Sequence, residues 1–281
     1  MSRGEIRAAV MRAVFFLAAC LCILLAGLAL QDAGRIRQNI SILLENSPVT
    51  GAQVDAMRNT EQAREDGIDF VAWQEYKNKR VMNVDGTGAA SANVLEFSGS
   101  SELLALERHL PQEDVAKSCL IGERTAEELY GSRSARGNIL CYEGREYTVQ
   151  GVLREPGNLV VLQNDDENAG FGRLTIAPEE GRSRGRTAEQ FLAGYGLDGR
   201  QLRYDMLALS YFVELAPGKW SDFAQVKQSV LKMQDDIVCL LATEKSSIEL
   251  LWFRDMGLAV TGFLVGFVLL WRQFPTRQIK K

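Results

Sequence analysis

The sequence contains only one histidine, His109, among its 281 residues. A Ser–His or Cys–His catalytic pair would have to use this residue. It lies at the charged end of a predicted helix, just before Pro111, which favours a solvent-exposed side chain over a catalytic one. No acid pair, metal-ligand spacing or phosphate-binding loop supplies another reaction centre. We therefore predict a protein that is not an enzyme, with no catalytic, cofactor-binding or metal-ligating residue.

Cysteine is also scarce. Cys20 and Cys22 lie in a long apolar run, and Cys119, Cys141 and Cys239 lie in the middle of the chain. An odd number of cysteines cannot form a complete disulfide framework. Each of these three lies in an apolar strand or helix pattern, which favours buried thiols. A bridge between Cys119 and Cys141, on adjacent predicted strands, is the alternative.

Acidic residues are absent from the last segment of the chain, 256–281, which carries four bases. Residues 1–30 carry three arginines and one glutamate. Of the 32 bases and 36 acids in the chain, 25 bases and 35 acids therefore lie in residues 31–255, a net charge of −10. The middle of the chain is acidic and both ends are basic.

Three further motifs favour ordinary surface structure. GYGLDG at residues 194–199 has the spacing of a dinucleotide-binding loop, but a predicted helix precedes it and a strand follows, the reverse of what the motif requires. The acids at 165–167 could bind calcium, and a loop of solvated charges explains them as well. The arginines at 182, 184 and 186 have no aromatic residues between them, so we expect no nucleic acid partner.

Two apolar runs lie beside the basic ends. Residues 13–30 form a run of eighteen uncharged residues and residues 256–271 a run of sixteen. A bilayer core needs roughly 17–25 helical residues, so the first run suffices and the second is short, with Trp271 and Arg272 as interfacial anchors. Bases flank each run on the side of the chain end. The positive-inside rule then predicts that both termini are cytoplasmic and residues 31–255 extracytoplasmic.

The first run has two other interpretations. Leu17–Cys20 matches a lipoprotein cleavage box, and a basic then apolar start is also typical of a cleaved secretory signal. Ten more uncharged residues follow Cys20, which favours an uncleaved membrane helix. We therefore predict a cytoplasmic segment 1–12, a membrane helix 13–30, an extracytoplasmic domain 31–255, a second membrane helix 256–271 and a cytoplasmic tail 272–281.

The residue patterns of the middle predict an α+β domain between helical stalks. One stalk helix is expected over about 31–47, with Ile36, Ile40, Leu43 and Leu44 on one face. Another is expected over about 221–255, starting at Ser221 and leading to the second membrane helix. Thr50 and Gln53 predict a helix-capping box. Residues 101–110 are expected to be helical, and residues 202–215 are expected to form one long strand or two.

The segment 119–153 shows the clearest local order. A short apolar strand precedes a helix that Thr125 and Glu128 are expected to cap and that stops at Gly131. A hairpin then turns at Glu143-Gly144.

This segment resembles the periplasmic core domain of MacB-like ABC transporter permeases, which belong to the FtsX-like permease family. The order of a membrane helix, a domain of this size and a second membrane helix agrees with that family. The matching positions are Ile121-Gly122-Glu123, Tyr130-Gly131, Gly137 with Ile139, the turn at Gly144, and Val149 to Val152.

The resemblance implies a non-catalytic subunit of an ABC-type permease assembly, whose extracytoplasmic domain transmits motion from a partner ATPase. The implied partners are the ATPase and a further permease chain or a second copy of this one. Permeases of this family have four membrane helices, whereas only ten residues follow the second run here. A split, a truncated and a repurposed permease all fit this departure.

Two other classes of function stay open. A bitopic cell-surface binding or scaffold protein, with no transport cycle, has the same layout of helices and domain. An envelope enzyme would depend on His109.

Overall fold

A computed structural model describes residues 3–110, 117–179, 181–206, 209–216 and 223–271. Pro111, Ser221 and the tail 272–281, on which some of the sequence predictions rest, lie outside these residues. The chain divides into two compact units. One, the helix pair, comprises Met1–Arg35 and Glu249–Lys281, and the other, the head, comprises Ile36–Ile248.

Seven α-helices and eleven β-strands are defined in the described residues. The helices are α1 (Arg3–Gln38), α2 (Gly51–Gln62), α3 (Glu123–Tyr130), α4 (Arg184–Tyr195), α5 (Leu209–Leu215), α6 (Phe223–Ala242) and α7 (Ser247–Trp271). The first strands are β1 (Ile40–Leu44), β2 (Val49–Thr50), β3 (Phe70–Asn83), β4 (Ala89–Gly99), β5 (Ser118–Gly122) and β6 (Ile139–Tyr142). The others are β7 (Arg145–Leu153), β8 (Leu159–Gln163), β9 (Gly170–Phe171), β10 (Arg173–Ile176) and β11 (Gly199–Leu202).

The head is built on a nine-stranded mixed sheet in the order β11-β1-β10-β3-β4-β8-β5-β7-β6. The last strand, β6, also pairs with the end of β3, where Met82 lies opposite Cys141 and Asn83 opposite Leu140. Strands β3, β4, β8, β5, β7 and β6 therefore close into a ring of six. The other end of the sheet stays open, and β3, at 14 residues, runs through both parts.

Three hydrophobic clusters fill the head. The first, among the ring strands and α3, includes Val81, Val94 and Ile121. In the second, α2 and α4 pack against the open part of the sheet through residues such as Val54 and Phe191. The third includes Leu95, Phe97 and Leu104. Each strand between two clusters is buried on both faces, which explains runs such as LVVLQ in β8.

The helix pair contains two helices long and apolar enough to cross a membrane, at Val14–Gly34 in α1 and Ser247–Trp271 in α7. Small residues let the two helices approach closely. A Cβ atom at Gly262 would lie 2.9 Å from the Cβ atom of Ala26, and one at Gly266 would lie 2.7 Å from Cγ1 of Ile23. The larger apolar side chains of both helices, such as Leu17 and Phe267, are exposed.

The prediction of a stalk helix over 31–47 is wrong beyond Gln38, where α1 ends. Residues 40–44 form strand β1, in which every residue except Leu43 is buried. The sequence ISILL is apolar on all sides and β-branched at Ile40 and Ile42, so it fits a strand that is covered on both faces. Its antiparallel partners are β10 and β11.

Three other element predictions are also wrong. Only Ser101–Leu104 of the segment 101–110 is helical, a short 3₁₀ turn that ends at Ala105 in the left-handed region (φ 55°). Within residues 202–215, strand β11 ends at Leu202 and Leu209–Leu215 is helix α5. The expected helix over 221–255 is interrupted at 243–246, between α6 and α7.

The segment 119–153 folds largely as predicted. Helix α3 ends at Tyr130, directly before Gly131, whose φ of 67° suits glycine. The hairpin turns at Glu143 and Gly144, with φ of 47° and 78°. The expected cap is wrong, because Gly122 precedes the helix and Thr125 lies inside it with its Oγ1 buried and without a hydrogen-bond partner. The capping box of Thr50 and Gln53 is confirmed. The α+β class is confirmed as well.

Candidate functional site at the roots of the apolar helices

Two short segments of the head, the end of α1 and the start of α7, share one hydrophobic cluster. Ile36, near the end of α1, and Ile248, near the start of α7, both pack in the third cluster. Ile248 is 6% exposed. We name residues 36–39, which are the end of α1 and Asn39, the first root. We name residues 244–248 the second root.

The second root lies on a bulge in β3. The pairing of β3 with β4 shifts between Tyr76 and Lys79, where two residues of β3 lie opposite the single residue Asn93. Asn78, in the bulge, has a φ of 54°. Its backbone N–H donates to Oδ1 of Asn93 at 3.1 Å. This hydrogen bond fixes the orientation of the Asn93 side-chain amide and leaves its Nδ2 group to donate elsewhere.

Ser247 connects α7 to this bulge. Nδ2 of Asn93 donates to the Ser247 hydroxyl oxygen at 2.7 Å. The Ser247 backbone N–H donates to Oε2 of Glu75 at 2.7 Å, and its hydroxyl donates to Oε1 at 2.5 Å. A carboxylate at the first N–H group of a helix also meets the positive end of the helix dipole. These contacts fix the start of α7 to β3 and β4.

Glu244 makes a second attachment. Its carboxylate lies 2.6 Å from the ammonium of Lys77. Hydrogen bonding to Lys77, and then the charge of Lys77, lower the pKa of Glu244 below its ordinary value. The carbonyl oxygen of Glu244 accepts from the guanidinium of Arg173 at 2.5 Å. Arg173 itself lies over the ring of Trp73, 5.1 Å from the ring centroid. Three strands of the sheet, β3, β4 and β10, therefore hold the second root.

The first root is held by one basic side chain and one amide side chain. The carbonyl oxygen of Gln38, at the end of α1, accepts from the Arg184 guanidinium at 3.1 Å. A cation at this position suits the negative end of the helix dipole. Nδ2 of Asn39 donates to the carbonyl oxygen of Leu103 at 3.0 Å. Within the head, the end of α1 and the start of α7 are thus each held by a charged group and by an isoleucine in a shared core.

The chemical candidates from the sequence are not brought together at this site. His109 is exposed, with its Nδ1 lying 3.2 Å from the carbonyl oxygen of Ser101. Cys119 and Cys141 are free thiols, and burial raises the pKa of Cys119. Among the described residues, no group of three or more histidines, cysteines or acids could hold a metal ion. Residues 194–199 form the end of α4 and the turn into β11, as predicted.

Helix α6, which precedes the second root, leaves many apolar side chains in solvent. Cys239 and Leu240 are buried near its C-terminus. Along the rest of the helix, large apolar side chains are exposed at spacings of about seven residues, which is typical of helices that pack against another helix. The exposed residues are Phe223, Val230, Leu231, Ile237, Val238 and Leu241.

Sequence reasoning missed Glu75, Asn93 and Ser247. Each is a polar residue whose partner lies far away in the chain, so nothing local marks it. The close approach of the helix pair had a signal, since Gly262 and Gly266 form a G-x-x-x-G motif in an apolar run.

The head is a mixed α/β domain between two apolar helices, and comparison with solved structures returns extracytoplasmic domains of ABC transporters. The periplasmic region of MacB from Actinobacillus actinomycetemcomitans has 13% identity and a TM-score of 0.49, with coverage of 64% of this chain and 94% of that one. The extracellular domain of the noncanonic ABC-type transporter YknZ from Gram-positive bacteria has 14% identity and a TM-score of 0.42, covering 57% and 96%.

Both structures are domains of ABC transporters, the class of protein that residues 119–153 resemble in sequence. At TM-scores below 0.5, neither of them assigns a role to a residue of this chain. No protein-family model matches the chain, and no curated protein matches it.

Proposed function

We propose that this protein is a non-catalytic membrane subunit of an ABC-type permease assembly, in which the head transmits motion that a partner ATPase generates. The observation that supports this most directly is the pair of roots. Ile36 and Ile248 share one cluster, and polar contacts fix each helix end to the sheet. A displacement of either helix would therefore move the head as a solid body, because packed cores do not deform continuously.

The proposal places both basic chain ends in the cytoplasm and the acidic residues 31–255 outside the cell. The segments 1–12 and 272–281 would then be the parts that meet an ATPase. A protease added on the outer side of the cell membrane should cleave the head and leave the two chain ends intact. Cleavage of the ends instead would contradict the orientation.

The exposed apolar side chains of α6 support an assembly over a solitary chain. Large exposed apolar patches on a folded domain mark interaction surfaces. A further permease chain or a second copy of this chain would cover α6 in the proposed assembly.

The test is purification of the tagged chain from native membranes after crosslinking. We expect an ABC ATPase and a second membrane chain to be recovered with it. Recovery of a lone monomer, with ATPase chains present in the same membranes, would overturn the proposal and favour a bitopic binding or scaffold protein.

A further inference from the structure

A cavity of about 410 Å³ lies in the head, and two of its lining residues, Tyr76 and Lys79, also lie beside the second root. Its lining includes three tyrosines and a glutamate from four strands, namely Tyr76 of β3, Glu96 of β4, Tyr142 of β6 and Tyr147 of β7. The segment after β8 contributes Asn164, Asp166 and residues 168–170. Its volume is in the range of small-molecule sites, which run from about 300 to 1,000 Å³.

Most of the charges around the cavity are neutralised in pairs. The ammonium of Lys79 lies 3.4 Å from the Glu143 carboxylate, and the Arg145 guanidinium lies 3.6 Å from the Asp166 carboxylate. Glu96 is the exception. In the described part of the chain no basic side chain forms an ion pair with it, and it accepts a hydrogen bond from the neutral amide of Asn164.

Glu96 is only 7% exposed, so its carboxylate is largely withdrawn from water. A buried carboxylate without a cation is costly, and its charge is felt by the groups around it. Burial first, and then the charge of Glu96, raise the pKa of Tyr76 and of Tyr142. Burial likewise raises the pKa of Tyr147, against the charge and hydrogen bond of Arg145, which lower it, and Glu96 is a smaller contributor to the rise. A carboxylate without an ion-pair partner in the described part of the chain therefore lies among three tyrosines.

Aromatic rings beside a carboxylate are the chemistry that recognises organic cations, because the ring face carries negative potential. The cavity already holds one example at its rim. The ammonium of Lys79 lies 5.3 Å from the centroid of the Tyr76 ring. Lys79 is 41% exposed and paired with Glu143, so it leaves the deeper carboxylate of Glu96 to another cation.

We propose that this cavity binds an organic cation, an alkylammonium or guanidinium group, through the Glu96 carboxylate and the rings of Tyr76, Tyr142 and Tyr147. The inference is independent of the proposed function, since binding of a cation needs no ATPase or membrane motion. The cation is either that of a free small molecule or a basic side chain of a peptide.

The experiment is calorimetric titration of the full-length chain in detergent. One arm uses n-butylammonium chloride, a second uses a Gly-Lys-Gly peptide with both ends blocked, and 1-butanol is the neutral control. We expect saturable binding in at least one cationic arm and none for butanol. Tighter binding of the butylammonium ion would indicate a free small molecule, and tighter binding of the peptide would indicate a protein side chain.

Glu96→Gln keeps the size and hydrogen-bonding capacity of the side chain and removes its charge. We expect it to weaken binding of the cation by about tenfold or more. Glu146→Gln, an exposed carboxylate of β7 outside the cavity, should leave binding unchanged within about twofold. Absence of saturable binding by the unmodified chain, or equal binding by Glu96→Gln, would overturn the proposal. If Glu96→Gln does not fold, as judged by circular dichroism, the Tyr76→Leu variant is titrated instead. Loss of the Tyr76 ring should also weaken binding of the cation, and unchanged binding would overturn the proposal.

Discussion

The carboxylate of Glu75 accepts two hydrogen bonds from Ser247, one from the backbone N–H at 2.7 Å and one from the hydroxyl at 2.5 Å. The two residues are 172 positions apart in the chain. Their contact joins the middle of the longest strand to the first turn of an apolar helix. It therefore ties the first turn of α7 directly to the sheet.

Replacement of Glu75 by alanine should loosen the second root. The change leaves the Ser247 N–H and hydroxyl without their acceptor, and hydrogen bonds to a charged group are worth about 1.5–3 kcal/mol each in net stability. We expect the free energy of unfolding of the full-length chain to fall by about 2–3 kcal/mol, measured by urea denaturation with tryptophan fluorescence. Glu128→Ala removes a carboxylate from the exposed pair with Arg124 and should cost about 0–1 kcal/mol. Equal losses in the two variants would show that the second root is not specially stabilised.

Replacement of Gly262 by leucine should separate the helix pair. Even a Cβ atom there would lie 3.0 Å from the carbonyl oxygen of Cys22, so the larger side chain cannot fit without displacing α1. Overpacking of this kind costs about 1–3 kcal/mol, and we expect a lower thermal unfolding temperature in detergent. Gly257→Leu is the matched control on the same helix, because nothing lies within 4 Å of a Cβ atom there. A loss for Gly257→Leu as large as that for Gly262→Leu would contradict the packing described.

Two glycines without near neighbours should respond in opposite directions to alanine. Gly144 has a φ of 78°, which alanine adopts only with strain, and Gly144→Ala should destabilise the hairpin by about 1 kcal/mol. Gly194 lies inside helix α4, where alanine is favoured by about 0.5–1 kcal/mol. Denaturation midpoints of the two variants should therefore lie on opposite sides of that of the unmodified chain. A shift in the same direction would show that local backbone conformation is not decisive at these positions.

Tyr130 should make the head lose stability at high pH. Burial raises its pKa to about 12 from an ordinary value of 10.0. The unfolded chain therefore releases this proton first, so stability is complete below pH 10 and falls as the pH rises to 12. Tyr130→Phe should lose about 1 kcal/mol at neutral pH, since the hydroxyl donates to the carbonyl oxygen of Ile139. Between pH 10 and 12 its unfolding free energy should decline less steeply than that of the unmodified chain. An unchanged slope would show that Tyr130 titrates alike in both states.

The features predicted correctly from the sequence are those set by neighbours in the chain. The turn at Glu143-Gly144 depends on Gly144, which tolerates its positive φ, and the capping box depends on Thr50 and Gln53, three positions apart. Long uncharged runs likewise predict apolar helices, because the length and composition of the run are sufficient by themselves.

The features that could not be predicted depend on distant partners. Residues 40–44 are apolar enough for a buried helix or a buried strand, and only pairing with β10, more than 120 residues away, makes them a strand. The same holds for the candidate sites. Glu75 meets Ser247, and Glu96 meets the tyrosines of three strands, only after the ring has closed.

Strand β3 belongs to both parts of the head, the open sheet and the ring. Its first residues, Phe70–Trp73, are hydrogen-bonded to β10 in the open sheet, and its last, Met82 and Asn83, are hydrogen-bonded to β6 in the ring. Neither half of the head can be excised as an autonomous fragment, because each would take with it a strand that the other requires. Surface turns can change in length during evolution, but the open sheet and the ring have to be retained together.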